Sequence, residues 1–300
     1  MSGLTARRAA STVGLGVFMM LFGDFMFAVN DVMGKWLVAT YSPGQVVLTR
    51  SIAALAVLLP FVLASGPRRL VQVERPRTQV FRVVLSSLEI IFFYTAAAYL
   101  PLADVMTFYL AGPIYVAAVS PFLLKEQVSL RQWLAIGVGF VGVLFVLRPT
   151  SGSLSWPALI SIGGSLCYAM MIVQSRQLRA TPDTTLVFWQ VIGALILGLM
   201  SLPFGWVTPS LMDWVMLSAL GVISMSAHMC INRSMKLAPA ALIAPIQYTL
   251  LLWALLFGWL IFHDVPKLPM MIGAAIIIGA GLFIVERRKA PTEEVVQDLV

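Results

Sequence analysis

The sequence has very few of the residues that build catalytic and metal sites. It contains two cysteines, Cys167 and Cys230, and two histidines, His228 and His263. The cysteines show neither a disulfide framework nor metal-ligand spacing. The sequence also lacks the HExxH and GxSxG motifs and a phosphate-binding loop. These absences argue against an enzyme and against ATP-driven work by this chain alone, and we expect no cofactor and no metal.

Charged residues are scarce as well, at 11% of the chain against 60% hydrophobic residues. A soluble domain averages about 25% charged residues, so the composition indicates an integral membrane protein. The apolar residues fall into blocks long enough for a helix to cross roughly 30 Å of hydrocarbon. The period-two alternation of a membrane β-barrel is absent, so we expect an all-α fold. The ten predicted transmembrane helices are 13–39, 43–64, 78–99, 102–124, 131–148, 154–175, 184–204, 211–236, 239–262 and 268–286.

Basic residues are distributed unevenly between the two sides that ten spans define. If the N-terminus is cytoplasmic, only four of the 20 Lys and Arg residues fall in the outer half, namely Lys35, Arg50, Arg148 and Lys267. Cytoplasmic loops carry such an excess of positive charge. We therefore predict ten spans in a bacterial-type inner (cell) membrane, with both termini cytoplasmic. The same bias explains the net charge of +7, which does not indicate nucleic-acid binding.

A weak internal repeat divides the sequence into two halves. The stretches 99–147 and 236–285 both contain a short loop, a span with an internal proline, an acidic residue and a Gly-rich span. Each half has five spans, an odd number, so the halves cross the membrane with opposite polarity. Inverted repeats of this kind recur in secondary transporters, which bind substrate where the halves meet.

The repeat predicts the domain organisation. We expect one five-helix repeat at 1–150 and a second at 151–289, arranged around a central cavity. The polar stretch 290–300 is predicted to be a disordered cytoplasmic tail.

Several motifs together resemble a known family. They are "NDVMGK" late in the first span, Arg50 in the second, "YLPLADVMTFYLAGPIYV", "KEQVSLRQWLAIGVGFVGVLFVLRP" and, in the second half, "APIQY", "FHDVP" and "IGAAIIIGAGLFI". Across nearly its whole length the chain resembles an EamA-type member of the drug/metabolite transporter superfamily. The resemblance implies a helical fold with a central cavity and transport of small organic solutes, often amino acids and sometimes cofactors or drugs.

The resemblance makes amino-acid or metabolite export by alternating access the leading hypothesis. Three alternatives stay open: uptake of a cofactor-like solute of the riboflavin or S-adenosylmethionine type, multidrug efflux, and a channel. We expect the partners to be a small-molecule substrate, the lipid bilayer and protons as a coupling ion, with the chain as a monomer or homodimer.

Charged residues inside the spans are candidates for function because charge is costly in hydrocarbon. Asp31 and Lys35 are one helical turn apart and are predicted to form a local ion pair. Arg50 could pair with Asp31 or Asp104, and the alternative for Arg50 is a site for a substrate carboxylate. Asp104 alone could serve as an acid at a helix N-terminus.

Acidic and aromatic side chains would together hold an amphipathic solute, because a binding site needs apolar walls with a few polar anchors. Asp24 and Glu89 lie near the middle of their spans and could bind an amine or a proton. Pro113 and Pro245 each remove a backbone hydrogen bond beside aromatic residues. The residues predicted to bind substrate are Asp24, Asp31, Glu89, Tyr94, Phe108, Pro113, Tyr115, Tyr168, His228, Asn232, Gln247 and Tyr248.

Overall fold

A computed structural model of the chain describes residues 2–66, 70, 73, 75–123, 130–147, 155–178, 180–237, 246–247, 249–265 and 267–286. The described residues form helices joined by turns and short loops, without a β-strand. The α-helices are α1 (Ser2–Val38), α2 (Pro43–Ser65), α3 (Pro76–Tyr99), α4 (Leu102–Tyr109), α5 (Gly112–Leu123), α6 (Leu130–Leu147), α7 (Trp156–Gln177), α8 (Asp183–Ser201), α9 (Leu211–Leu237), α10 (Thr249–Phe262) and α11 (Leu268–Glu286). A 3-10 turn at Leu202–Phe204 follows α8.

These helices confirm an all-α membrane protein. Six of them, α1, α2, α3, α7, α8 and α9, are each long and apolar enough to cross a membrane. Shorter apolar stretches lie in α6, α10 and α11. Many large apolar side chains stay exposed on the outside of the bundle, including Phe61, Phe122, Leu134 and Met200. An apolar surface of this extent is expected to face lipid rather than water.

The fourth predicted span is divided, which the sequence prediction of one helix over 102–124 missed. Helix α4 ends at Tyr109 and α5 begins at Gly112, with Leu110 and Ala111 forming a turn between them. Pro113 explains the break, because proline has no N–H to bond the preceding turn and its ring clashes with the carbonyl four residues earlier. At the start of a new helix the missing N–H costs nothing.

Helix α2 has a well-defined start that fixes its register. Ser42 is the N-cap, and its Oγ accepts a hydrogen bond of 3.3 Å from the backbone N–H of Gln45. Pro43 then occupies the first turn, where its fixed backbone angle favours helix. The Gln45 side chain also holds the chain before α9, since its Oε1 accepts from the Val207 N–H at 3.0 Å. Arg50 therefore lies about two turns inside α2.

Contacts between helices follow a reciprocal pattern. With α1–α6 as the first half and α7–α11 as the second, α1 packs on α9 as α3 packs on α7, and α2 packs on α9 as α3 packs on α8. The α1–α10 contact likewise corresponds to the contact of α4 and α5 with α7. The pairs α2–α8, α4–α10 and α6–α11 each join equivalent positions. Exchanging the halves thus reproduces the main contacts of the described helices.

Two glycines bring α2 into close contact with the second half. A Cβ atom at Gly198 in α8 would lie 2.7 Å from the Cα of Leu48, and one at Gly221 in α9 would overlap the backbone carbonyl of Arg50. Small residues permit this approach of helix backbones in membranes. The backbone of Arg50 is therefore pressed against α9, which directs its side chain into the interior.

Candidate functional site

A cavity lies inside the bundle where the two halves meet, and its space amounts to about 780 Å³ when its opening is included. The first half contributes from α1, α2, α3 and α4, and the second half contributes from α7, α9 and α10 and the turn before α10. The lining residues are Phe27, Asn30, Asp31, Arg50, Glu89, Ile90, Phe93, Tyr94, Met106, Tyr109, Leu110, Tyr168, Ser224, His228, Gln247 and Leu250.

Arg50 is the one Lys or Arg among the described residues that line this cavity, and its side chain is held by hydroxyl groups. Nη1 donates a hydrogen bond to the Tyr94 hydroxyl on α3, and Nη2 donates to Ser224 Oγ on α9. The guanidinium also lies over the Tyr94 ring, 5.4 Å from its centroid. The residue is 7% exposed, so its charge is shielded from bulk water. Both hydrogen-bond partners are neutral, and Arg50 also interacts electrostatically with Asp31.

Two carboxylates share the cavity with Arg50. Asp31 on α1 accepts a 3.1 Å hydrogen bond from the side-chain amide of Asn30 and is close enough to interact electrostatically with Arg50. Glu89 on α3 lies beside the Tyr109 hydroxyl and also interacts with Arg50. The cavity therefore presents formal charges of both signs on facing helices.

Aromatic rings form much of the remaining wall. Phe93 packs edge-on against both Tyr94 and Tyr109, with ring centroids 5.4 and 5.6 Å apart. On the opposite side, Phe27 packs edge-on against His228 at 4.7 Å. The Nδ1 atom of His228 lies 2.9 Å from the Ser224 carbonyl and so carries a proton as the donor. Flat apolar surfaces next to charged groups suit a solute that has both a ring and polar groups.

Tyr168 and Gln247 close one edge of the cavity. Gln247 Nε2 donates a 3.3 Å hydrogen bond to the Tyr168 hydroxyl, which connects α7 to the turn before α10. Near this edge, Thr249 donates a 3.2 Å hydrogen bond to Oδ2 of Asp24. Asp24 is fully buried and lies outside the cavity wall. The contact makes Asp24 a link between α1 and α10.

Six of the predicted substrate-binding side chains line the cavity: Asp31, Glu89, Tyr94, Tyr168, His228 and Gln247. Four others lie elsewhere. Phe108 is buried in an apolar cluster with Leu110 and Ile114, and Tyr115 packs against the same cluster. Asn232 lies further along α9, beyond the lining residues, and Asp24 has the position described above. The Pro113 side chain and all of Tyr248 fall outside the described residues.

Lys35 is paired differently from the prediction. Its Nζ lies 2.8 Å from Oδ2 of Asp264 and 4.4 Å from the centroid of the Phe262 ring. The predicted pair of Asp31 and Lys35 is therefore wrong. One helical turn of spacing permits that pair, but Asp31 turns inward to the cavity while Lys35 reaches the end of α10. Asp104 does lie in the first turn of α4, where an acid suits the helix dipole.

Phe27, Asn30 and Ser224 were not singled out by the sequence, although they line the cavity. Asn30 stands next to Asp31 in the "NDVMGK" motif and could have been found from that neighbour. Phe27 and Ser224 carry no such signal, since isolated Phe and Ser residues are common in membrane helices. Among the described residues, no group of three His, Cys, Asp or Glu side chains comes together as a metal site.

Comparison with known families accounts for this architecture. The model of the EamA-like transporter family matches residues 14–148 and again residues 155–286. The chain belongs to the EamA-like transporter family. It is accordingly a transporter rather than an enzyme, and the family matches one unit to each half of the chain.

Curated relatives of the family cover nearly the whole chain. A riboflavin transporter of Vibrio cholerae is 25% identical over 277 residues, covering 90% of this chain and 93% of the relative. An S-adenosylmethionine uptake transporter of Rickettsia bellii is 24% identical over 282 residues, covering 94% and 97%. A solved crystal structure with a TM-score of 0.65 and 17% identity covers 94% of this chain and 99% of that one, which shows the shared fold.

Proposed function

We propose that this transporter is a secondary carrier that moves a small amphipathic metabolite across the inner membrane by alternating access. The observation that carries the proposal is the cavity between the halves, in which Arg50, Asp31 and Glu89 lie among aromatic rings. A binding site at the interface of two repeats is the arrangement that secondary transporters use.

The two halves, 1–150 and 151–289, are proposed to be inverted repeats. The reciprocal helix contacts and the separate match of the family to each half support this proposal. So does the odd number of spans, five, that the sequence predicts for each half. The loops on the same side of the membrane as the N-terminus carry an excess of basic residues. This excess supports an orientation with both termini in the cytoplasm. The proposed tail at 290–300 lies outside the described residues.

For the substrate we propose a metabolite with a flat ring and a cationic group, of the size and kind of a cofactor. The carboxylates of Asp31 and Glu89 suit an amine or sulfonium, and Phe93, Tyr109 and Tyr168 provide surfaces for a ring. The relative named for S-adenosylmethionine uptake supports this class, and it supports uptake over amino-acid export. The relative named for riboflavin supports the flat ring alone, because riboflavin has no cationic group. Export of an amino acid is the second candidate, because the same charges also fit an α-amino acid.

Proton coupling is a further part of the proposal. A carboxylate in the cavity can bind a substrate cation or a proton, but not both at once. Because the two compete for the same group, movement of the substrate in one direction is coupled to movement of a proton in the other. Asp31 and Glu89 are the groups that line the cavity and could do this. We propose that the chain functions as a monomer or homodimer.

The test is transport by purified protein in proteoliposomes. Radiolabelled S-adenosylmethionine, riboflavin, L-lysine, L-phenylalanine and ethidium would be offered separately, with and without a pH gradient. We expect saturable flux of one of the first two, with rates that respond to the gradient. Flux of amino acids alone favours the second candidate, and flux of ethidium alone favours drug efflux. Fluxes orders of magnitude above carrier rates would identify a channel.

A further inference from the structure

We propose that Arg50 binds a carboxylate of the transported solute and thereby restricts transport to solutes that carry one. This inference rests on the proposed function, since it assigns a role within the same cavity. It goes beyond the structural ion pair that the sequence suggested, because the structure gives Arg50 hydroxyl partners and places its side chain on the cavity wall.

The hydrogen bonds of Arg50 leave it able to bind an anion. Tyr94 and Ser224 each take one N–H of a guanidinium that has five N–H groups in a planar fork. Hydrogen bonds from a cation to a carboxylate are roughly twice as strong as bonds between neutral groups. A substrate carboxylate that enters the cavity would therefore gain more from Arg50 than the two hydroxyls do.

The position of Arg50 is fixed before any substrate arrives. Its backbone is pressed against Gly221 of α9, its terminal nitrogens are bonded to α3 and α9, and its charge lies over the Tyr94 ring. Rigid placement of a binding group raises affinity because less freedom is lost on binding. Arg50 also lines a second, smaller cavity with Gln190 and Ser224, so its side chain lies between two internal spaces.

Charges across the cavity define the rest of the substrate. Arg50 supplies one positive charge, and Asp31 on α1 and Glu89 on α3 supply two carboxyl groups that are negative when they have released their protons. A solute with one carboxylate and one or two cationic groups complements this arrangement. A solute with a different arrangement of charges would bind weakly, because it would leave an unpaired charge in the shielded cavity. The inferred class is therefore a zwitterionic head group attached to an aromatic or second cationic group.

A pair of probes that differ by one carboxylate tests the inference. Binding of S-adenosylmethionine and of its decarboxylated analogue to the purified protein would be measured by calorimetry in detergent, with L-lysine and cadaverine as a second pair. We expect the wild type to favour the carboxylate member of at least one pair by about tenfold or more, which is the size of a charged hydrogen bond. In Arg50→Gln, the ratio of the two affinities should fall to near one, while the affinity for the decarboxylated member should be unchanged.

Control variants separate recognition from structure. Tyr94→Phe and Ser224→Ala remove the present partners of Arg50 but keep its charge and planar fork. Both should lower affinity, because Arg50 is less firmly held, yet both should still bind the carboxylate member of a pair more tightly than the other. Arg50→Lys should keep only part of it, because an ammonium cannot offer a planar fork. Arg50→Lys also serves if Arg50→Gln does not fold.

Three results would overturn the inference. Equal loss of affinity for both members of a pair in the Arg50 variants would show a purely structural role. Equal affinity of the wild type for both members would refute carboxylate recognition while the proposed carrier function stands. Absence of binding and transport of every probe by the wild type would refute the inference and the proposed substrate class together.

Discussion

Lys35 and Asp264 are 229 positions apart in the sequence, yet Nζ of the first lies 2.8 Å from Oδ2 of the second. The ion pair joins the last turn of α1 to the residues just after α10. His263 makes this possible, because its positive φ of 55° turns the chain at the end of α10. The pair therefore ties the two halves together at one end of the bundle.

A second ion pair joins helices at the opposite end. Lys236 Nζ lies 2.6 Å from Asp183 Oδ1 and donates a 2.9 Å hydrogen bond to the Thr181 carbonyl. Near it, Ser234 Oγ donates to the carbonyl of Gly16 in the N-terminal part of α1. Because Lys35 is at the C-terminal end of α1, the two pairs lie at opposite ends of the bundle. Under the proposed orientation, the first faces outward and the second faces the cytoplasm.

Asp264→Asn is expected to open the outer end more often. The Lys35 and Asp264 side chains are 15% and 30% exposed, so the pair contributes up to about 1 kcal/mol, or roughly a fivefold change in population. The measurement is the rate at which an impermeant maleimide added outside labels Leu250→Cys, which lines the cavity, in a background free of Cys167 and Cys230. The double exchange Lys35→Asp with Asp264→Lys should restore the slow rate. An unchanged rate in Asp264→Asn would show that the pair does not hold this end closed.

Asp183→Asn is the matched change at the other end of the bundle, and it should open the cavity to the cytoplasmic side more often. We expect faster labelling of the same cysteine in inside-out vesicles and no increase from outside. The change should be smaller than for Asp264→Asn, because Lys236 keeps its bond to the Thr181 carbonyl. Increased labelling from both sides in either variant would indicate general loosening of the fold.

Gly221→Ala is expected to destabilise the protein. The added methyl group would overlap the Arg50 carbonyl, and crowding of a packed interior costs about 1–3 kcal/mol. Gly279→Ala in α11 is the matched control, because nothing lies within 4 Å of a Cβ there, and alanine favours helix by up to about 1 kcal/mol. Thermal unfolding of the purified proteins in detergent measures both. Equal stability of the two variants would refute the close contact of α2 with α9.

Glu89→Gln should lower transport of a cationic substrate by about tenfold or more, since a charged hydrogen bond contributes roughly 1.5–3 kcal/mol. Asp24→Asn should preserve transport, because Asp24 lies outside the cavity wall and bonds to Thr249. Initial rates in proteoliposomes measure transport, and thermal unfolding checks that both variants are folded. If Asp24→Asn loses transport at normal stability while Glu89→Gln keeps it, the assignment of the two carboxylates is reversed.

Most of the fold could be predicted from composition and charge. Blocks of apolar residues identify membrane helices because hydrocarbon excludes unpaired backbone groups. The same criterion cannot show where a helix breaks inside the membrane, so the turn at Leu110 and Ala111 was missed. Pro113, which causes the turn, is visible in the sequence. The sequence does not show whether the helix continues past this proline with a kink or ends before it and starts again.

Prediction of the site was more limited, and the charged residues show why. Helix geometry brings Asp31 and Lys35 within reach of one another, but it does not show which of the neighbouring helices offers a better partner. Lys35 binds Asp264, far away in the sequence, and Asp31 instead faces a cavity that it shares with Arg50. Burial in a membrane span indicates that a charge has a role, while the packing of other helices decides which role.

The reciprocal packing of the two halves has an energetic consequence. If inward-open and outward-open forms arise when the halves exchange their conformations, each form contains the same main contacts, made by the other half. Those contacts then cancel in the free-energy difference. What remains would be set by ion pairs for which the described residues show no counterpart in the other half, such as Lys35 with Asp264 and Lys236 with Asp183. A difference of that small size can be reversed by a modest solute gradient or by a single substitution. The resting orientation of this transporter would thus be set at its two rims, far from the cavity where selectivity is decided.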